Sequence, residues 1–221
     1  MNNKSDTNSI RHYCALHKQM IFDVSEVKDK FPLVSDSNFR KYVSRLVEER
    51  VLTVISKGIY FIGDELPDNL EKLLLGHYFD PRTDRPAKDY LLYKLGITET
   101  KPETLTFYKL WKKGNKKIGN LQILECKGYV LDDELETETL LDLVAAESDV
   151  SEEDKYSYVQ KIVELCYSAQ GKLKFPYFLQ HPRYVYSRLA NWLDQLHISN
   201  EVMQEYEKQV EHTNRLWWSW L

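Results

Sequence analysis

Between Ser35 and Ile62 the hydrophobic period of the chain changes once, from helical to extended, and that change limits the folds open to everything around it. Phe39, Val43, Leu46 and Val47 recur at i, i+4, i+7 and i+8, the apolar stripe of one helix running from about Ser35 to Glu49. At about 100° per residue, Ser37, Lys41, Ser44 and Arg45 fall on the opposite side, with Arg40 on one flank. After Arg50 the pattern is extended. Val51, Leu52, Val54 and Ile55 are β-formers, Ser56-Lys57-Gly58 supplies a turn, and Ile59 to Ile62 returns as a second strand.

The residues before this stretch prepare it. Asp23-Val24-Ser25-Glu26 has the acidic N-cap and the third-position glutamate of a capping box, so a short helix is expected over about Val24–Lys30. Pro32 lacks a donor and holds Phe31 out of the α region, which ends that helix. Ser35 is then a good N-cap for the next. Upstream, Ser9 to about Met20 reads as a first helix with Ile10, Tyr13, Cys14 and His17 near one side, and Ile21-Phe22 as a short β stub. His12 and His17 have no Cys or acid at ligand spacing, so no metal role is read into them. Helix, turn, helix and hairpin in this order predict a winged helix-turn-helix over residues 1–64, with the helix in a DNA groove and the wing on the backbone. In that layout Ser37, Asn38 and Lys41 reach base edges, Arg40 and Arg45 hold phosphates, and Ser44 and Lys57 complete the surface.

Charge is distributed unevenly in a way that supports this reading. The whole chain carries a formal net charge of −4, which argues mildly against an anionic partner. Residues Met1–Gly63, however, hold ten Lys/Arg against seven Asp/Glu, and Lys101–Lys117 hold six lysines against one acid. Asp132–Asp154 holds eleven acids and no base. Where an anion lands follows this polarity rather than the sum. Cys14, Cys126 and Cys166 are odd in number and widely spaced, as expected of reduced thiols in a cytoplasmic protein. The polar start MNNKSDTNSI resembles no signal peptide, and no run approaches the roughly 20 apolar residues of a membrane helix.

A polar linker, Gly63–Asn69, suggests a boundary, leaving 65–221 as an α+β domain with a small antiparallel sheet and a helical C-terminal half. Leu70, Leu73, Leu74 and Tyr78 mark a short helix, and Tyr90 to Leu95 mark another that ends at Gly96. Thr104–Leu124 is expected to be a hairpin whose tip carries Lys112, Lys113, Lys116 and Lys117, a possible second basic patch or simply a solvated edge. A further short strand is expected over Gly128–Asp132. From Asp133 onward the chain is first acidic and then apolar, a helix whose acids complement its dipole. No His and no spaced carboxylate triad stands near that acidic stretch in sequence, so neither a metal nor general-acid chemistry is expected there. Helices follow from Ser151 to Gly171, from Pro182 through Leu196, and from about Ser199 to the end. The terminal LWWSWL is expected either to fold back, with Trp217, Trp220 and Leu221 buried near Leu193 or Leu196 and Trp218 more exposed, or to form a contact with a partner or second copy.

Some of these residues also carry a family resemblance. Ser44-Arg45-Leu46, followed by Lys57-Gly58-Ile59-Tyr60, resembles the helix-to-wing pattern of AbiEi-type antitoxins of type IV toxin–antitoxin modules and related winged-helix transcriptional regulators. DYLLYKLGIT, ending at Thr98, and ETLLDLV from Glu138 to Val144 are similar to two further helices of that family. Glu49-Arg50 stands where a glycine is usual before the wing, and Ser56 where a basic residue is common. The resemblance implies a winged helix that represses its own promoter in double-stranded DNA. It also implies a remainder of the chain that opposes a nucleotidyltransferase-like toxin, and it leaves a homo-oligomer on DNA open.

There is no glycine-rich phosphate loop, GxSxG elbow, HExxH or CxxC, so no enzyme activity and no cofactor are expected. The leading expectation is a DNA-binding autorepressor and antitoxin. Its rival is a protein-interaction subunit of a phage-defence complex that uses the winged helix as a protein contact, a reading favoured by the acidic net charge.

Overall fold

Asp23 accepts a hydrogen bond from the Ser25 N–H at 2.9 Å, and Ser35 Oγ accepts one from the Asn38 N–H at 3.4 Å. These two caps start the helices around which the N-terminal part is built. In the computed structural model residues 3–109, 114–126, 130–175 and 181–218 are described, with side chains from 8 to 211. The chain is mixed α+β: among the described residues it has nine α-helices, a three-stranded antiparallel sheet and a four-stranded sheet. It divides into two units, 1–79 with 118–121, and 80–117 with 122–221.

The first unit runs α1 (Asn3–Leu16), β1 (Ile21–Asp23), α2 (Val24–Asp29), α3 (Asp36–Glu48), β2 (Leu52–Ser56), β3 (Ile59–Ile62) and α4 (Leu70–Tyr78). The strands lie in the order β1-β3-β2, with Phe22 opposite Tyr60 and Leu52 opposite Ile62. An irregularity between Val54 and Ser56 bends β2 towards the turn. The expected stripe of α3 is buried: Phe39, Val43 and Leu46, joined by Tyr42, pack with Ile10, Cys14, Phe22, Val27 and Val34. Helix α1 lies earlier than the expected Ser9–Met20. Gln19 takes a left-handed φ of 61° and its N–H donates to the Ile62 carbonyl at 2.9 Å, which turns the chain into β1 and leaves no room for another helical turn. Glu26 does not close a capping box; it reaches His77 Nε2 of α4 at 3.0 Å. Helix α4 is tied down further where the buried Tyr78 hydroxyl donates to Asp23 Oδ2 at 2.8 Å. Burial and the adjacent Asp23 raise the Tyr78 pKa well above the usual phenol value.

The second unit runs β4 (Arg85–Pro86), α5 (Lys88–Lys94), β5 (Leu105–Lys109), β6 (Lys116–Ile118), β7 (Leu121–Glu125), α6 (Leu135–Ala145), a 3₁₀ turn (Glu147–Asp149), α7 (Lys155–Ser168), α8 (Arg183–Gln195) and α9 (Val202–Trp218). Its strand order is β4-β5-β7-β6. The stretch read as one return strand, IGNLQIL, is broken at Gly119, whose φ of 56° makes a tight turn with Asn120 between β6 and β7. Lys116 and Lys117 therefore lie on an edge strand rather than at a loop tip. Of the strand expected at Gly128–Asp132, only 130–132 are described, and they lead into a turn before α6. A core of Leu140, Leu141, Leu143, Val144, Tyr158, Ile162, Cys166, Val185, Tyr186, Leu189 and Leu193 joins α6, α7 and α8. The side chains of Trp217, Trp218, Trp220 and Leu221 lie outside the described residues. Among the described residues no helix is long and apolar enough to cross a membrane.

Candidate nucleic-acid interface

Burial of Phe39, Tyr42, Val43 and Leu46 fixes the rotation of α3, and with it the identity of the outward face. Ser37, Arg40, Lys41, Ser44 and Arg45 are exposed there, and Asn38 is half-buried. Lys57 is exposed at the β2–β3 turn, where Gly58 takes a φ of 79° that suits glycine. The turn is anchored where the Val24 N–H donates to the Gly58 carbonyl at 2.9 Å. Among the described residues no carboxylate pairs with Arg40, Lys41, Arg45 or Lys57. The neighbouring acids have other partners: Asp36 faces Lys28 Nζ at 3.4 Å, and Glu49 pairs with Arg11. Four unpaired cations on one helix and one hairpin form a surface that an anionic backbone can neutralise.

Individual side chains differ in what they can offer. Ser44 Oγ donates to the Arg40 carbonyl at 3.1 Å, so it faces its own helix and keeps only acceptor capacity. Ser37 Oγ lies 3.4 Å from Ser35 Oγ, close to the capping hydroxyl. Lys41 and Arg45 lie one turn apart on the exposed face. Arg50, just beyond α3, adopts a left-handed φ of 57°. A left-handed φ at the junction of α3 and β2 is a conformation that glycine adopts without strain and arginine does not. In the second unit Lys116 is half-buried and Lys117 exposed, while Lys112 and Lys113 lie outside the described residues.

A second constellation, in the second unit, was not foreseen from sequence. Glu138 and Asp142 stand one turn apart on α6, and both are buried. Arg85 of β4 donates through Nε to Asp142 Oδ2 at 2.9 Å and through a terminal nitrogen to Glu138 Oε2 at 3.2 Å. His181, just before α8, brings Nε2 to 3.1 Å from Asp142 Oδ1 and 3.4 Å from Glu138 Oε2. Neither approach has hydrogen-bond geometry, and among the described residues Asp142 Oδ1, His181 Nε2 and the other Glu138 oxygen, Oε1, are buried without a hydrogen bond. Burial works against a charged His181, but the two carboxylates outweigh it and raise its pKa to about 9. The same carboxylates raise the pKa of Arg85 against its burial. The Tyr108 ring lies 5.4 Å from the Arg85 guanidinium, and burial pushes its hydroxyl up to about 12.

The expectation that the acidic helix has no histidine partner is thus corrected: the fold supplies His181, which follows α7 in the chain and stands just before α8. One signal was present in the sequence. Glu138 and Asp142 share an i, i+4 spacing with no lysine or arginine among the apolar residues of α6, a pattern that calls for a partner from elsewhere once the helix is buried. Glu138 is accordingly not an exposed acid complementing the helix dipole. No protein-family model matches the chain, and no relative was found among curated proteins.

Proposed function

We infer that the first unit is a winged helix-turn-helix that binds double-stranded DNA through α3 and the β2–β3 wing. The observation that carries this reading is the set of Arg40, Lys41, Arg45 and Lys57, exposed and unpaired among the described residues on a helix whose rotation the core fixes. Lys41 reads a base edge, while Arg40, Arg45 and Lys57 hold phosphates. On the resemblance of its helix-to-wing residues to AbiEi-type antitoxins, the chain is a cytoplasmic autorepressor of its own promoter and the antitoxin of a type IV-like module. Its functional counterpart is then a nucleotidyltransferase-like toxin.

Anisotropy of labelled promoter DNA against a scrambled duplex, over a salt series, tests the DNA-binding part. Specific binding that weakens steeply with salt is expected. Equal affinity for both duplexes, or normal promoter affinity in a Lys41→Ala/Arg45→Ala variant, overturns it. The rival reading, a protein contact, draws on apolar residues of the same unit. Leu33, in the turn before α3, is 88% exposed, and Leu16 and Met20 are exposed as well. Loss of partner capture in a Leu33→Ser variant that still binds DNA would favour that rival. The antitoxin role is checked by sequencing the adjacent gene and co-expressing its product: a nucleotidyltransferase-like toxin whose growth arrest this chain relieves is the expected result, and an unrelated neighbour overturns it.

A further inference from the structure

We propose that Glu138, Asp142 and His181 form a binding site for one divalent transition-metal ion, of which zinc is the best fit. Nothing in the sequence motifs points to it, and it does not depend on the DNA-binding reading. Three donor atoms from two elements meet in the core of the second unit, all within 4.8 Å of one another. Each residue is more than nine-tenths buried, and Glu138 Oε1, Asp142 Oδ1 and His181 Nε2 have no hydrogen bond to offset the loss of water. A buried oxygen without a partner is costly, and three polar atoms left so in one place call for something between them.

The spacing identifies what that is. If His181 simply closed the cluster as an imidazolium, its N–H would lie along the line to one carboxylate oxygen; here the nitrogen stands beside both oxygens, in line with neither. Its distances of 3.1 and 3.4 Å suit edges of a coordination polyhedron. Zinc bonds of about 2.0–2.1 Å to nitrogen and oxygen give tetrahedral edges of about 3.3–3.4 Å. Zinc would displace the proton that the two acids hold on His181, and one borderline imidazole with two hard carboxylates suits zinc or manganese better than calcium or magnesium. Arg85 takes the place of an outer partner: its bond to Asp142 Oδ2 orients that carboxylate and leaves Oδ1 turned to the ion. Glu138 Oε1 adds a fourth donor when this carboxylate chelates, which shortens one edge of a distorted four-coordinate site. The ion cancels the two acids, and Arg85 remains as the one uncompensated positive charge of the cluster. The ion would clasp α6 to the start of α8, and its burial marks it as structural.

Untagged full-length protein, stripped with a chelator and dialysed, is titrated with zinc, and separately with manganese and magnesium, by calorimetry and thermal melting. One equivalent of zinc is expected to bind and to raise the melting temperature as its concentration rises, with magnesium much weaker. In His181→Ala the affinity should fall by more than about 100-fold, beyond the effect of losing an outer partner. Should that variant fail to fold, cobalt added to the stripped wild type is expected to give the strong visible absorption of a tetrahedral site, and Glu138→Gln should weaken zinc. A stripped wild type that takes up no zinc overturns the proposal. So does zinc binding unchanged in His181→Ala, which would place the ion at the cysteines or other histidines.

Discussion

The two units use charge in opposite ways. On α3 and the first hairpin, Arg40, Lys41, Arg45 and Lys57 point away from the core and have no carboxylate partner among the described residues. In the second unit Arg85, Glu138, Asp142 and His181 are drawn inside, where every charge faces another. Exposed charges contribute about 0–1 kcal/mol to folding and remain available to a partner. Buried ones are already committed, and removing one leaves the others without compensation. The first arrangement suits reversible binding of a polyanion, and the second suits holding a core in one register.

That contrast is most sharply tested at Arg85. Arg85→Ala leaves Asp142 and Glu138 buried without their guanidinium, so denaturation in chelator should show a loss of about 3–5 kcal/mol. A loss within about 0.5 kcal/mol would mean that the cluster is solvated and that the two units do not differ as described.

On the exposed side the prediction is reversed: folding barely changes and binding does. Lys41→Ala should cost about 1–3 kcal/mol of promoter affinity and relax preference at one base position. Arg45→Ala should weaken all sequences alike and flatten the salt slope by about one. If either substitution lowered the denaturation midpoint as far as Arg85→Ala does, the α3 face would be structural and the contrast would fail.

A smaller effect lies at the end of α3. Arg50 holds a φ of 57°, where a Cβ is strained and glycine is not. Arg50→Gly should therefore raise stability by about 0.5–1 kcal/mol, read as a higher melting temperature with DNA affinity nearly unchanged. A drop in stability would show that the Arg50 side chain has a contact worth more than the backbone strain.

The exposed face of α3 was almost wholly legible in sequence because it is local. Ser37 to Arg45 lie on one helix, and helical geometry alone separates their face from that of Phe39, Val43 and Leu46. Legibility failed where a single residue redirected the backbone. Gln19 at φ 61° ended α1 early, and Gly119 at φ 56° turned one expected strand into two, moving Lys116 and Lys117 to an edge. Neither follows from hydrophobic period, since a left-handed residue changes direction without changing pattern.

The helix–turn–helix–hairpin order of residues 24–62 and the outward face of α3 were set by the sequence alone, since each depends on neighbours within a few positions. That Asp23 receives Tyr78, that Glu26 turns to His77, and that His181 meets Glu138 and Asp142 were decided only by the tertiary structure. Those meetings join residues 39 to 55 positions apart in sequence. No local periodicity encodes them; they exist because burying the apolar faces of the helices brings particular polar groups together out of reach of water.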